Sequence, residues 1–198
     1  ASASDDGSTF LWDANTGVII GFAGDTASGV QIPEHRNDGG EMAGTATFGG
    51  RISKGIYWNP AGQAFELPPM AGVDPLYGSS HIMAHGINNL GQIAGAGKEG
   101  APNYYLHAVL WQNKDTPPQD LGFLGKGTYV DYSEALGVND LSHVVGNGAL
   151  GTATRGFLWR AGHMIDLGAL SGQVVSEAYA INNNGFEASV TRNFTSYI

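Results

Sequence analysis

Short apolar stretches bounded by Gly, Asn, Asp and Pro run the length of the chain, and none holds a helical period for long. Each is long enough for a strand and too short for an ordinary helix. Their order repeats. Ile87-Asn88-Asn89-Leu90-Gly91-Gln92-Ile93-Ala94-Gly95 returns as Val138-Asn139-Asp140-Leu141-Ser142-His143-Val144-Val145-Gly146, and again as Ile181-Asn182-Asn183-Asn184-Gly185-Phe186-Glu187-Ala188-Ser189. A worn copy stands at Arg36-Asn37-Asp38-Gly39-Gly40-Glu41-Met42-Ala43-Gly44. The copies are spaced by 51, 51 and 43 residues. Repeats of this length are the mark of solenoids and propellers, in which each unit buries its faces on its neighbours.

A second marker ends in tryptophan: Phe10-Leu11-Trp12, Ile56-Tyr57-Trp58, Val109-Leu110-Trp111 and Phe157-Leu158-Trp159. All four tryptophans therefore share one phase of the repeat, which predicts a core position. A third marker follows each, as in Gln119-Asp120-Leu121-Gly122-Phe123 and Met164-Ile165-Asp166-Leu167-Gly168. One unit thus reads as four strands, in the second copy over 80–88, 92–97, 106–112 and 119–124. The Asn-Asn-x-Gly segments join the first two strands, where asparagine closes Asx-turns and glycine takes positive φ.

The expected architecture is all-β: a four-bladed β-propeller of four-stranded repeats forming one domain. Its units cover roughly 25–72, 73–125, 126–172 and 173–198, the last completed by 1–24. The N-terminal segment supplies the third strand onward of a unit, and the C-terminal segment supplies the first two. Pairing them in one blade closes the ring and removes the exposed edges that an open stack leaves. An open β-solenoid is the alternative.

Composition narrows the function. The 198 residues hold 42% hydrophobic and 14% charged side chains, which suits a globular chain of this size. With nine Lys and Arg against eighteen acids, the net charge is −9, and the scattered basic residues form no patch for nucleic acid. No apolar run reaches the length of a membrane-spanning helix, so no membrane insertion is expected. Cysteine is absent, which removes thiolate metal sites and disulfides.

The pattern Ala-x-x-Ile-Asn-Asn-x-Gly-Gln-Ile-x-Gly, then His-Ala-x-Leu-Trp, then Asp-Leu-Gly-x-Leu-Gly resembles the HAF-repeat proteins, named for a His-Ala-Phe tripeptide. The tripeptide position holds His107-Ala108-Val109, and elsewhere Ser8-Thr9-Phe10, Lys54-Gly55-Ile56 and Arg155-Gly156-Phe157. Only one copy keeps the histidine, so no repeated histidine role carries over. The resemblance implies an exported, β-rich bacterial repeat protein, extracellular or periplasmic, whose signal peptide has been removed. It implies no reaction.

Candidate chemistry lies where the repeats disagree, because structural positions impose sameness. Aligned first strands, which line the channel of a propeller, put Glu34, His85, Leu136 and Tyr179 at one level. Two residues earlier stand Ile32, Met83, Glu134 and Glu177, and His81 lies two further back. His81, His85, Glu34, Glu134 and Glu177 are thus expected to converge at the channel and its mouth. There they would act as acid and base, or hold a divalent cation through His81, His85 and Glu34. The plainer reading makes them solvated strand-end residues. Tyr104 and Tyr105 lie in a segment that differs among units and would form a neighbouring wall, able to stack on a sugar or peptide.

No nucleophile elbow, phosphate loop or metalloprotease helix is present. The expectation is a non-catalytic module that binds a glycan or a protein partner. A small hydrolase or lyase built on the His/Glu cluster, and a structural subunit of a surface assembly, are the alternatives.

Overall fold

The computed structural model describes residues 2–3, 9–12, 19–21, 30–48, 52–71, 81–98, 105–125, 131–185 and 187–192, with side chains from 34 to 185 apart from Phe48 and Ile52. Every regular element among them is a strand. The first sheet has three strands, β1 (Ser2–Ala3), β2 (Thr9–Trp12) and β3 (Ile19–Gly21). Next comes a four-stranded antiparallel meander, the first unit: β4 (Val30–Arg36), β5 (Met42–Phe48), β6 (Ile52–Trp58) and β7 (Ala64–Glu66). The second unit is β8 (Ile82–Ile87), β9 (Ile93–Lys98), β10 (Leu106–Trp111) and β11 (Gln119–Asp120). The third is β12 (Ser133–Val138), β13 (Val144–Leu150), β14 (Ala153–Arg160) and β15 (His163–Asp166), and β16 (Val175–Ile181) pairs with β17 (Glu187–Arg192) as the fourth.

The expected strands of the second unit are found with shifts of one or two residues, except the last. There the chain leaves the sheet early: the Leu121 amide still reaches the Ala108 carbonyl at 2.9 Å, and Gly122 at φ 75° then turns it away.

Among the described residues, the inner strands of the three four-stranded units give each of these sheets two apolar faces. In β10, Val109 and Trp111 pack backward with Ile82 and Ile93 onto Ala43, Tyr57 and Leu67 of the first unit. Ala108 and Leu110 pack forward onto Ala135, Val138, Phe157 and Trp159 of the third. Fully burying an aliphatic or aromatic side chain of this kind contributes roughly 1.5–3 kcal/mol, so the stack is held mainly between units. The first strand of each unit lies against the second and third strands of the unit before it, and neighbouring first strands also meet.

Three tryptophans are buried as expected: Trp58, Trp111 and Trp159. The Trp111 indole N–H donates to the Pro68 carbonyl at 2.9 Å, tying the second unit to the first. The side chain of Trp12 lies outside the described residues.

At the ends, β2 lies against β4, the same relation that β6 has to β8. β2 therefore occupies the place of a third strand in a unit preceding the first. The edge expected to receive β17 is paired here by β1, through Ser2–Phe10 and Ala3–Thr9. A β2–β17 pairing is not among the described ones.

Candidate functional site

The same irregularity interrupts every first strand. Pairing with the second strand skips Glu34, His85, Leu136 and Tyr179 in the four units. A bulge leaves one residue outside the ladder and re-aims its side chain, and four at one phase make it part of the repeat. The strand approaches its partner so closely at this point that a Cβ on Gly95 would sit 2.0 Å from the Met83 carbonyl oxygen. One on Gly146 would meet the Glu134 carbonyl at the same distance. This explains the glycine that ends the repeated motif in those two units.

The bulge aims His85 between carboxylates of two neighbouring units. His85 Nδ1 lies 2.7 Å from Glu34 Oε2 and Nε2 lies 2.8 Å from Glu134 Oε1. Burial opposes a charge on this ring, but hydrogen bonds and charge from Glu134 and Glu34 outweigh it and push His85 up to about 9. At neutral pH it is an imidazolium donating through both nitrogens. The carbonyl of the same residue accepts a hydrogen bond from His35 Nδ1 at 2.6 Å. Three units are joined at one side chain.

The structure brings together Glu34, His85 and Glu134 as expected, and places the remaining candidates elsewhere. His81 precedes β8, bridged to Ser53, with its pKa lowered by burial and then by Lys98. Four residues of strand, roughly 13 Å, separate it from His85. Glu177 accepts the Tyr179 hydroxyl at 3.1 Å. Tyr105 precedes β10, half-buried, at the His81 end, because Leu106 pairs with Lys98. Tyr104 lies outside the described residues. No three His, Asp or Glu among the described residues are grouped to hold a metal ion, and His81 stands too far along the chain to join His85 and Glu34. The set His81, His85 and Glu34 does not fit a divalent cation in this geometry.

The turns that follow the first strands carry a second network. Asn88 Oδ1 accepts the Leu90 and Gln92 amides and so closes its own turn, while Nδ2 donates to the Asn139 carbonyl at 2.8 Å. Asn37 donates likewise to Asn88, and Asn139 to Asn182. The next residue in each turn forms a parallel set of rungs. The amides of Asp38, Asn89 and Asp140 donate to the side-chain oxygens of Asn89, Asp140 and Asn183. Asn89 Nδ2 also bridges Asp38 and Asp140, each at 3.0 Å. Hydrogen bonds from the Asn89 backbone and side chain hold the Asp140 carboxyl below its usual range. The turn reading of these asparagines stands, and the bonds between units add to it.

These turns surround one depression of about 280 Å³. All four units line it: Ile87, Val138, Ile181 and Arg36 at the strand ends, with the paired Asx residues of each turn. Sequence reasoning passed over Arg36 and His35. The signal was the one that found Glu34, since Glu34-His35-Arg36 replaces His85-Gly86-Ile87, Leu136-Gly137-Val138 and Tyr179-Ala180-Ile181.

The tripeptide histidine has a structural partner. His107 Nδ1 lies 2.8 Å from Asp120 Oδ2, its ring edge-on to Phe123. Burial works against the Asp120 charge, but the His107 bond and the Gly122 amide hold its pKa below the usual value. Lys54 and Glu66 make the same third-to-fourth-strand pair at 2.7 Å in the first unit. A base facing a carboxylate is what these two units share, rather than histidine itself.

Comparison with family models, with curated proteins and with solved structures returned no match.

Proposed function

We propose that the chain is a non-catalytic binding module, a closed four-bladed propeller whose axial depression takes a single sugar-sized unit of a glycan. The observation that carries this reading is the depression itself, walled by equivalent turns of all four units. Its rim of asparagine and aspartate side chains offers hydrogen-bond partners to the hydroxyls of a sugar ring. At about 280 Å³ it stands at the lower end of small-ligand sites. A protein partner needs a surface of about 800 Å² on each side, which the depression does not supply.

The state of His85 counts against a general base at this position. An imidazolium held by two carboxylates has no nitrogen with which to take a proton at neutral pH. Export to the periplasm or the cell exterior belongs to the same proposal and rests on the repeat resemblance alone.

The test is a glycan array followed by amide chemical-shift mapping with each hit. The reading expects shifts concentrated at Asn88, Asn89, Asn139 and Asn182. Shifts confined to the outer strands β7, β11 and β15, or an array without hits, would overturn it.

A further inference from the structure

The turn after each first strand takes positive φ at the same place, through Gly40 (φ 87°), Gly91 (φ 74°), Ser142 (φ 59°) and Gly185 (φ 81°). The residue ahead of it varies: Gly39, Leu90, Leu141 and Asn184. Leu90 and Leu141 are exposed, so packing does not fix this position. The fourth unit is the one that sets an asparagine directly before the positive-φ glycine.

Asn-Gly is a reactive step, because glycine has no side chain to keep its amide nitrogen from the asparagine side-chain carbonyl carbon. The sequence holds two such steps, Asn147-Gly148 and Asn184-Gly185. The fold treats them oppositely. Asn147 is buried within β13, and its Oδ1 accepts the Ala178 amide at 2.8 Å. Gly148 is buried too and is paired on both sides, with Ser133 and Arg155. Neither group turns toward the other unless the sheet opens. Asn184 is exposed, and no hydrogen bond engages its side chain among the described residues. A Cβ built on Gly185 would meet nothing within 4 Å, so the space around its backbone is open. The Gly185 amide donates to the carbonyl of exposed Asn182 at 3.1 Å, across the turn. A bond of that kind opens at far lower cost than the pairing of a buried strand.

We propose that Asn184-Gly185 is a self-modifying site, at which the folded protein deamidates through a succinimide. The Gly185 nitrogen loses its proton to solvent and bonds to Asn184 Cγ, while the side-chain nitrogen takes up a proton and leaves as ammonia. Water then opens the ring at either carbonyl, giving aspartate or a β-aspartyl link. Both products add a carboxylate to the turn, and the β-aspartyl link also adds a carbon to the main chain between residues 184 and 185. That carbon disrupts the spacing of the bond from Gly185 to Asn182. Asn183 belongs to the same turn; it donates to the Asp140 carboxylate at 2.7 Å and accepts the Asp140 amide at 2.8 Å. The modification therefore loosens the contact between the third and fourth units at the rim of the depression, whatever the depression binds.

The experiment follows both steps by peptide mass mapping while the full chain stands folded in mildly alkaline buffer, and again in concentrated urea. Unfolded, the two steps should react at similar rates. Folded, Asn184 should react more than about tenfold faster than Asn147, the gap between opening a surface turn and opening a buried strand. Asn184→Leu restores the residue of the second and third units, so it should fold and give no product in this turn. Gly185→Ser copies Ser142 of the third unit and should slow the reaction. The aged wild-type fraction, separated by its added charge, should melt below fresh protein, while Asn184→Leu should melt unchanged over the same time. Equal folded rates at Asn184 and Asn147 would overturn the reactive site. Aged protein that melts with the fresh would overturn the loosening of the contact between units.

Discussion

Asn88 donates its side-chain amide to the carbonyl of Asn139 at 2.8 Å, while its side-chain oxygen holds two amides of its own turn. One buried side chain thus fixes both the shape of a turn and its position against the next unit. A further bond from Nδ2 to Gln92 Oε1 at 2.7 Å completes its donors. Aspartate cannot replace it, because a carboxylate keeps the oxygen and loses both donors.

Asn88→Asp should therefore destabilise the protein by about 3–5 kcal/mol, the cost of a buried charge facing oxygens without a partner. Asn89→Asp, at an exposed position, should cost about 1 kcal/mol or less and recover in high salt. Urea unfolding of the two variants measures the contrast. Equal losses would mean that the inner rungs contribute no more than the outer ones.

His85 gives the stability a pH dependence whose sign is fixed by the carboxylates. Its ordinary value is 6.5 and its folded value about 9, so the folded state binds the proton more tightly. The contribution is complete below pH 6.5, falls as pH rises, and is gone above about 9. It amounts to a few kcal/mol at most. Melting curves between pH 6 and 10 should slope downward for wild type and be flatter for His85→Gln. Parallel curves would mean that His85 is not protonated in the fold.

The meeting of Glu34 and His85 was legible because every unit carries the bulge at the same phase. Aligning the units therefore keeps these residues level even though the bulge itself is invisible in the sequence. The bulge also re-aims the strand, so the number of residues between His81 and His85 does not tell which way each side chain points. Arg36 was missed for a different reason: the copy that carries it is the most worn, and its charged tripeptide reads as decay until the strand end is placed beside Ile87 and Val138. The bonds between turns were hidden because one asparagine serves two purposes, and its presence is already explained by the first.

Gly95 gives a sharper test of the bulge. Its missing Cβ leaves room for the Met83 carbonyl oxygen, which a methyl group would approach to 2.0 Å, against backbone that cannot swing aside. Gly95→Ala should cost more than about 3 kcal/mol, far beyond the 0.5–1 kcal/mol by which alanine is ordinarily favoured over glycine within a strand. Gly122→Ala, with nothing within 4 Å of the new atom, carries only the cost of its positive φ and should be milder. A reversed order would place the close approach elsewhere.

Closure of the ring can be tested at Asp38 and Asn183. In three successive turns the backbone N–H of one unit donates to the side-chain oxygen of the next, from Asp38 to Asn89, to Asp140, to Asn183. Carboxylate and amide alternate along this path, and each Asn amide bonds a carboxylate beside it. Such alternation closes on itself only with an even number of units, because an odd number would set two carboxylates or two amides side by side. Asn183 gives one amide hydrogen to Asp140, and its second would reach Asp38 in a ring of four. Asp38 and Asn183 already line the same depression. The double variant Asp38→Cys/Asn183→Cys should therefore react with a short bismaleimide to give an intramolecular link, found by peptide mass mapping, and should melt at a higher temperature once linked. Denatured protein should not give the link in comparable yield. Links formed only between molecules, or a linked protein that melts lower, would favour an open stack over the ring.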